Sequence, residues 1–324
     1  MSGLVGLGEC VIDFIPQPSA GDDNLRYQAC PGGSVANLCV AAAKLGVSAK
    51  FIGAVGDDHF GRFLKSTLAS YGVDAENMPV CRECGTFLAF VNLMENNERG
   101  YSFANLPGAD KLLKYEDVDL KSVADGDVLH VSSNAPAGPV TRGTQRKILD
   151  YAASLGKIIS YDINYRENNH KSREEAMDVL RMSLPYATVI KATEEELALV
   201  TGQNAESGAR MLLASGDRTK IVLVTLGSRG ADFYADGAYG RVSAPDVAVK
   251  DTTGAGDAFL GGFLSYMLKR GLLEMLENLT SEAIRDGVEF ANRTATLAVM
   301  KPGVLTSFPT LEEVTNAGFG RADG

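Results

Sequence analysis

The sequence predicts an α/β fold with a mostly parallel central sheet that helices cover on both faces. Apolar runs of strand length alternate with segments of helical length along most of the 324 residues, a pattern typical of parallel strands joined by crossover helices. Polar residues follow the ends of several predicted strands, where open parallel sheets bind ligands. Hairpin-like segments interrupt the alternation, and we expect residues near 14–30 and 86–104 to form a small β lid.

Composition and charge limit the classes of function. Hydrophobic residues make up 45% of the chain, enough for a large core, which excludes a disordered protein. The 31 basic and 41 acidic residues give a formal net charge of -10, which argues against nucleic acid or an anionic membrane as a partner. A nucleotide remains compatible, because a few amides and one or two basic side chains can hold it. With no linker or internal repeat, we expect one domain over 1–324.

The N-terminal segment and the cysteines indicate the compartment. Residues 4–15 are apolar, but they contain Glu9 and Asp13 and lack a basic leader, so we interpret them as a buried strand and not as a signal peptide. No apolar run reaches the length of a membrane span. The odd count of five cysteines predicts free thiols in a reducing compartment, and we expect a cytoplasmic protein. Cys81 and Cys84 have metal-ligand spacing, but structural zinc needs four ligands, so we expect incidental thiols.

The first strand and the first helix each place polar groups where a ligand could bind. Asp13 lies near the C-terminal end of a strand predicted over 4–16, although its carboxylate could instead cap a turn. Gly32 and Gly33 precede the first helix and expose its initial amides. A neutral polar substrate could bind there beside Asn37, which can donate and accept hydrogen bonds. The alternative is a tight turn with Asn37 as a cap.

The remaining elements follow in order. Short β-rich apolar runs predict strands over 50–55, 128–132, 157–162, 188–191 and 221–226. Longer segments, several ended by glycine, predict helices over 35–45, 58–71, 140–155, 173–184, 194–201, 205–214 and 281–300. Runs at 86–94 and 101–104, joined by the polar segment 95–100, predict the lid hairpin, and a second hairpin is predicted over 230–243.

Polar residues at three strand ends define a predicted ligand crevice. Arg166 follows one strand and Lys191 ends the next, and both can carry phosphate charge. Glu194 can hold Mg²⁺ directly or through water, since this ion keeps much of its hydration. The third strand end provides Thr225, Gly227 and Gly230. Each residue alone also suits a structural role, such as a surface ion pair or a helix-terminal charge, but their joint occurrence favours a binding site.

Residues 251–259 carry the strongest chemical signal. Gly254 and Gly256 allow a turn between a strand predicted at 247–249 and a helix predicted over 259–268, whose first amides favour an anion. The Gly-Lys-Ser/Thr phosphate-loop pattern does not follow. Asp257 stands at the same end, where a carboxylate would repel a phosphate. We therefore interpret Asp257 as a base that takes a proton from an attacking hydroxyl, the alternative being a helix N-cap.

These motifs resemble those of ribokinase-like carbohydrate kinases of the phosphofructokinase-B type, over nearly the whole chain. The two signature regions are 32–37 and 251–257. The resemblance implies a three-layer α/β/α domain with a β-sheet lid and ATP-dependent phosphorylation of a sugar hydroxyl. Within this family the chain most resembles the fructokinase branch, on the evidence of residues 107–110, residues 162–166 and Lys191, where many members have Asn. It is nearly as similar to the ketodeoxygluconate kinase and aminoimidazole riboside kinase branches.

The resemblance also implies a role for each motif. Asp257 would be the catalytic base. The anion hole would consist of Gly254, Ala255 and Gly256. Sugar hydroxyls would be held by Asp13, Gly33 and Asn37. The nucleotide would be lined by Thr225, Gly227, Gly230 and Asn292. A monovalent cation such as K⁺ would be bound, as in some members, by Asp251 and Thr253.

We expect in-line transfer of the γ-phosphoryl group of ATP to a primary sugar hydroxyl, with Mg²⁺ neutralising the β and γ oxygens. The lid should close over the sugar and exclude water, with Arg99, Phe103 and Asn105 contributing to selectivity. Exposed lid edges predict a homodimer joined through the lids. A sugar- or nucleotide-binding regulator without catalysis is disfavoured by Asp257, and a nicotinamide-dependent dehydrogenase by the incomplete glycine fingerprint at Gly6.

Overall fold

Strands and helices alternate through most of the computed structural model, which describes residues 3–18, 24–93, 99–215 and 218–319. The strands are β1 (Gly3–Leu7), β2 (Val11–Pro16), β3 (Tyr27–Gly32), β4 (Ser48–Ile52), β5 (Val55–Gly56), β6 (Val73–Asp74), β7 (Val80–Cys81), β8 (Leu88–Leu93), β9 (Arg99–Ala104), β10 (Val128–Ser132), β11 (Ile158–Asp162), β12 (Val189–Thr193), β13 (Ile221–Thr225), β14 (Ala231–Ala235) and β15 (Ala238–Val242). The α-helices are α1 (Ser34–Lys44), α2 (His59–Ser70), α3 (Leu120–Asp125), α4 (Pro139–Ser154), α5 (Arg173–Met182), α6 (Glu194–Thr201), α7 (Ala205–Ala214), α8 (Ala255–Lys269), α9 (Ser281–Val299) and α10 (Leu311–Asn316).

The central sheet has the strand order β15-β14-β13-β12-β11-β10-β1-β4-β6. All strands from β13 to β6 pair in parallel, and the hairpin β14–β15 adds two antiparallel strands at one edge. The carboxyl ends of β11, β12 and β13 therefore lie side by side. This confirms the predicted mostly parallel sheet and brings together the polar strand ends found in the sequence.

Helices cover both faces of this sheet, because successive residues of a strand point to opposite sides. In β1, Leu4 belongs to a buried cluster with Phe263 of α8, whereas Val5 belongs to a second cluster with Ile148 of α4. Both clusters are large and apolar. The chain thus forms the expected α/β/α layers. No helix in the described part of the chain is long and apolar enough to cross a membrane.

The two segments predicted to form a lid pair with each other in a separate sheet, called the lid sheet here, with the order β3-β2-β8-β9. Strand β2 pairs antiparallel with β3 and parallel with β8, and β8 forms an antiparallel hairpin with β9. Residues 94–98 of the predicted hairpin connection and residues 19–23 lie outside the described residues. Side chains of β2 alternate between the two faces, so Asp13 and Phe14 point to opposite sides of the lid sheet.

Three predicted strands are wrong. Residues 50–55 are divided between β4 in the central sheet and β5, which pairs with β7 in a separate two-stranded sheet. Residues 4–16 form two strands in different sheets, with a break at Gly8–Cys10 that the apolar composition hides, so Asp13 lies on the lid sheet and not at the end of a core strand. Residues 247–249 pair with no strand in the described chain. The physical reason is that these apolar residues border a crevice, where Val249 is 55% exposed, instead of filling the core.

The prediction that all five cysteines are free is wrong for one pair. A disulfide joins Cys81 and Cys84, whose Cα atoms lie 5.7 Å apart because the chain turns directly after β7. The other three, Cys10, Cys30 and Cys39, are free thiols. The Cys-x-x-Cys spacing therefore forms a local crosslink where the chain approaches the lid sheet.

Candidate active site

The start of α8 is fixed by a glycine that no other residue replaces without strain. Gly254 is the N-cap with a φ of 78°, and a Cβ there would lie 2.7 Å from Val304 Cγ1. The helix begins at Ala255, four residues before the predicted start. The Ala255 amide donates to Thr252 O (3.2 Å) and closes the turn. The next amides, of Gly256 and Asp257, belong to the first helical turn, which has no intrahelical acceptors for its N–H groups.

Asp257 lies at this helix start, buried but open to the large crevice described below. Asn37 Nδ2, from the first turn of α1, donates to Asp257 Oδ2 at 2.8 Å. Burial raises the pKa of Asp257 to about 7, while the hydrogen bond from Asn37 works in the opposite direction. The alternative that Asp257 caps the helix is wrong, since Gly254 occupies the N-cap position. A carboxylate with this pKa is suited to general-base work at neutral pH.

The crevice has a volume of about 1140 Å³ and lies between the strand ends of the central sheet and the lid sheet. It brings together most of the site residues predicted from the sequence. Those lining it are Asp13, Gly33, Asn37, Phe103, Arg166, Lys191, Glu194, Thr225, Gly227, Gly230, Thr253, Gly254, Ala255, Gly256, Asp257 and Asn292. Two predicted site residues, Gly32 and Asp251, do not line the crevice.

At the lid side of the crevice, the two glycines before α1 leave room for the Asp13 carboxylate and for the backbone of Glu9. A Cβ on Gly32 would lie 2.2 Å from Asp13 Oδ2, and one on Gly33, whose φ is 105°, would lie 2.3 Å from Glu9 O. Burial and the neighbouring Glu9 charge raise the pKa of Asp13 to about 6. Gly32 makes the space that the Asp13 carboxylate occupies, so any contribution to substrate binding would be indirect, and its predicted role stays a prediction.

Glu9 lines the crevice but is not among the site residues predicted from the sequence. Its Oε1 accepts hydrogen bonds from the backbone and hydroxyl of Ser34, both at 2.7 Å, and its Oε2 accepts one from Ser132 Oγ at 3.2 Å. Glu9 therefore joins β1, the start of α1 and the end of β10 at the crevice wall. In the sequence it stands inside an apolar run, and its charge there is the one signal that could have revealed it.

A buried ammonium group lies beside the α8 turn. Lys191 Nζ is 3.1 and 3.2 Å from the two carboxylate oxygens of Asp162, and a Cβ on Gly256 would lie 3.1 Å from the same Nζ. Although burial opposes the charged form, the Asp162 and Glu196 carboxylates raise the pKa of Lys191, so the group stays protonated. Exposed Arg166 lines the same part of the crevice. This end of the crevice thus combines two cations with helix-terminal amides, an arrangement suited to an anion.

Two glutamates at the start of α6 have different surroundings. Glu194 lies on the crevice wall, where it forms an ion pair with Arg229. Glu196, which the sequence reasoning did not single out, is buried and accepts from Tyr165 N (2.9 Å) and Thr193 N (2.8 Å), the latter as part of a capping box. A capping pattern is the signal that could have separated it from its neighbours. The magnesium role of Glu194 stays a prediction.

The opposite wall is shaped by glycine and by one buried amide. Gly230 has a φ of 95°, and a Cβ there would lie 2.0 Å from Val242 O; Gly227 has a φ of 62°. Thr225 Oγ1 donates to a backbone carbonyl of β12 (3.3 Å). Asn292 Nδ2 donates to Val242 O (2.9 Å), so this amide holds the end of β15 in place. The nucleotide contacts expected for these residues stay predictions.

The residues expected to bind a monovalent cation form a local turn. Asp251 Oδ1 accepts from the Thr253 backbone at 2.9 Å and from its hydroxyl at 2.7 Å. The described chain contains no group of three or more His, Cys, Asp or Glu side chains that could hold a metal ion. The cation role of Asp251 and Thr253 stays a prediction. On the lid sheet, Phe103 packs against Phe87 with ring centroids 5.3 Å apart.

Comparison with known proteins gives consistent matches over nearly the whole chain. A family profile described as "pfkB family carbohydrate kinase" matches residues 1–311. Fructokinase-1 of Oryza sativa subsp. japonica is 33% identical over 313 residues, covering 96% of both chains. Among solved structures, a fructokinase from Xylella fastidiosa with bound ATP has a TM-score of 0.89 at 31% identity, with 97% of each chain covered. A fructokinase from Vibrio cholerae O395 with fructose, ADP and calcium has a TM-score of 0.85 at 32% identity, covering 97% of this chain and 98% of that one.

Proposed function

The chain belongs to the pfkB family of carbohydrate kinases, and from this membership we propose that it transfers the γ-phosphoryl group of ATP to a primary hydroxyl of fructose. One observation carries the chemistry. The Asp257 carboxylate opens on the crevice at the same helix end as the free amides of α8, with the Lys191 ammonium beside that turn. The choice of fructose and ATP is supported by the relatives of known structure, which bind ATP in one case and fructose with ADP in the other.

The reaction follows from the arrangement around Asp257. A sugar hydroxyl placed at this carboxylate gives up its proton to Asp257 as its oxygen attacks the γ-phosphorus of ATP. The bond between the γ-phosphorus and the β–γ bridging oxygen breaks in the same step, and ADP leaves with that oxygen and its electron pair. Asn37 orients the carboxylate through its hydrogen bond to Oδ2. Negative charge on the transferring group is stabilised by the first amides of α8 and by Lys191, which a buried ion pair with Asp162 holds in place. The reacting group is thus neutralised by fixed dipoles and charges rather than by water.

The crevice also offers an oxygen donor that fits Mg²⁺. Glu194 faces the crevice and is 39% exposed, so its carboxylate can reach the ion directly or through water, and Mg²⁺ commonly takes only one or two carboxylates beside substrate phosphates. Bound Mg²⁺ would neutralise the β- and γ-phosphate oxygens. Arg229, the present partner of Glu194, is then available to contact a phosphate oxygen.

We extend the proposal to the assembly. The lid sheet ends in the edge strands β3 and β9 in the described chain, and unpaired strand edges are suited to pairing with a second copy. A homodimer joined through the lid sheets would cover them. Sedimentation at micromolar concentration should give twice the mass of the 34.4 kDa chain. A monomer under these conditions contradicts this part of the proposal.

The decisive test of the proposed function is a coupled assay for ADP release. Fructose, 2-keto-3-deoxygluconate, ribose and nucleosides are compared as acceptors with ATP and Mg²⁺, and kcat/KM is measured for each. We expect the highest value for fructose. A higher value for another acceptor would correct the substrate, and sugar-independent or absent ADP release would leave a binding protein without catalysis as the better description.

A further inference from the structure

Asp110 is a buried carboxylate that has no role in the chemistry described above. It is 2% exposed, lines the crevice, and neither of its oxygens accepts a hydrogen bond from the described residues. Lys111 Nζ forms an ion pair with Asp110 Oδ2 at 3.0 Å and also donates a hydrogen bond to Asn134 O, so Asp110 Oδ1 is the oxygen without a partner among the described residues. Burying a carboxylate without hydrogen bonds costs free energy. A group of this kind, aimed into a crevice, points to a ligand that donates hydrogen bonds.

The chain around Asp110 holds the carboxylate at a fixed place. Its backbone carbonyl accepts a hydrogen bond from Thr141 Oγ1 (2.8 Å), and the amide before it, of Ala109, donates to Gly85 O (3.0 Å). A Cβ on Gly108 would lie 2.7 Å from Asp110 Oδ1, so glycine makes the space for this oxygen. The position of Asp110 is therefore built by contacts on several sides.

Two further carboxylates lie near Asp110. Glu9, Asp13 and Asp110 all line the crevice. Burial raises the pKa of Asp13 and of Asp110, Lys111 opposes the increase at Asp110, and the charge of Glu9 adds to the increase at both. We call Glu9, Asp13 and Asp110 the acidic pocket. Lys111, the cation that pairs with Asp110 in the described part of the chain, is 13% exposed and engaged by Asp110 and the Asn134 carbonyl.

Helix α1 relates the acidic pocket to the reacting end of the crevice. Glu9 binds Ser34 at the first position of α1, whereas Asp257 binds Asn37, three residues later. Three residues correspond to ~4.5 Å along a helix axis. The acidic pocket therefore lies beside the place where the proposed function puts the sugar, displaced from the carboxylate that takes the proton.

We propose that Asp110 accepts hydrogen bonds from hydroxyl groups of the sugar at the end remote from the phosphorylated hydroxyl, and that the acidic pocket selects neutral sugars over sugar acids. Hydroxyl groups donate strong hydrogen bonds to a carboxylate. A sugar carboxylate in the same place meets three acidic side chains and no available cation. This inference deepens the proposed function and rests on it for the identity of the crevice as a sugar site.

The test is the affinity for sugar, measured by calorimetry at pH 8 without nucleotide, for the wild type and Asp110→Asn. The wild type should bind fructose at least ~10-fold more tightly than 2-keto-3-deoxygluconate. Asp110→Asn should weaken fructose binding by about 10- to 100-fold, the range for a hydrogen bond to a charged group, and reduce the preference over the sugar acid. The control Asp117→Asn removes an exposed carboxylate a few residues later and should bind both sugars as the wild type does.

Thermal unfolding separates this role from a structural one. Because Asp110→Asn also removes the ion-pair partner of Lys111, the readout is the stabilisation by ligand: fructose should raise the unfolding temperature of the wild type more than that of Asp110→Asn, whereas a purely structural role would leave this increase equal in both. If Asp110→Asn does not fold, the smaller Asp110→Ser carries the same expectation for binding. Unchanged fructose affinity in a folded Asp110 variant, or a wild type that prefers the sugar acid or binds no sugar, overturns the inference.

ADP release measured in parallel keeps the two proposals apart. Fructose binding that depends on Asp110 without any sugar-dependent ADP release supports the acidic pocket and contradicts the proposed kinase reaction. Normal fructose phosphorylation that is indifferent to Asp110 supports the kinase reaction and contradicts the acidic pocket.

Discussion

Replacing the carboxylate of Asp257 should remove catalysis and at the same time stabilise the fold. Asp257→Asn keeps the size of the side chain and leaves Asn37 beside it, but the new amide cannot accept a proton from the sugar hydroxyl. General-base assistance is worth ~10²–10⁴-fold, so kcat should fall by at least about that range while ATP still binds. For the wild type, kcat/KM for the sugar should rise with pH and level off above about 7, because burial raises the pKa of Asp257 to about 7. Asp257→Asn should lack this rise.

The effect on stability has a defined sign. The folded protein keeps the Asp257 proton until about pH 7, whereas the unfolded chain releases it near the ordinary value of 3.8. Between these values the folded state binds more protons, so the free energy of unfolding falls as pH rises through this window. The interval corresponds to roughly 4 kcal/mol at 1.36 kcal/mol for each tenfold change in proton affinity. Asp257→Asn should therefore be more stable than the wild type by up to about this amount at pH 8, and by little at pH 4.

Two measurements check this reasoning. Urea unfolding of the wild type and Asp257→Asn at pH 4 and pH 8 gives the difference in stability. ADP release gives kcat at saturating sugar and kcat/KM at sugar concentrations far below KM. Asp178→Asn, which changes an exposed aspartate on α5, is the matched control and should alter neither quantity. A kcat near that of the wild type refutes the base assignment. An equal stability difference at both pH values shows that the pKa of Asp257 is not raised.

Three further predictions concern the surroundings of the reacting group. Gly254→Ala should lower the free energy of unfolding by about 1–3 kcal/mol and abolish most activity, because its Cβ meets Val304 at a positive φ. The control Gly72→Ala, with a φ of 83° and open space around the Cβ, should lower it by only about 1 kcal/mol. Equal losses of the two variants in urea unfolding would contradict the packing argument. Lys191→Met should lower the free energy of unfolding by about 3–5 kcal/mol, because it leaves Asp162 buried without its cation. The double variant Lys191→Met/Asp162→Asn should recover much of this stability. Additive losses of the two substitutions, measured by urea unfolding, would show that the residues are not coupled. Fructose with a non-hydrolysable ATP analogue should slow amide exchange in β2 and β8 of the lid sheet but not in β14, as followed by mass spectrometry; unchanged exchange in β2 and β8 argues against closure.

Elements that bury a continuous apolar run or a helical stripe could be predicted from the sequence. The strand at Val128–Ser132 and the helices at Glu194–Thr201 and Ala205–Ala214 have the predicted bounds. In these cases burial of an apolar face, together with side-chain caps at the two helix starts, decides the local structure. Residues 4–16 and 247–249 failed because apolar composition reports removal from water but not which sheet or crevice a residue borders.

The residues of the candidate site also fall into those that the sequence could predict and those that it could not. Asp257, Asn37 and Lys191 could be found because each follows a recognisable helix start or strand end. Glu9 and Asp110 could not, since their meaning depends on partners that only the fold supplies: Glu9 needs Ser34, and Asp110 is notable for the hydrogen bonds that it lacks. A local pattern can propose a donor or an acceptor, but it cannot show which groups remain unsatisfied once the chain has folded.

The reacting geometry is a consequence of core packing between α1 and α8. The bond between Asn37 and Asp257 joins residues 220 positions apart, so it exists only if the two helices approach closely. A Cβ on Gly261, one turn after Asp257, would lie 3.0 Å from Ala41 Cβ and 3.4 Å from Leu38 O, which shows how near α8 runs to α1. Small residues at this crossing therefore set the distance between the amide that orients the carboxylate and the carboxylate itself. Because a packed interior deforms little, the same contacts that exclude water from the core would also keep Asp257, the proposed base, aligned for transfer.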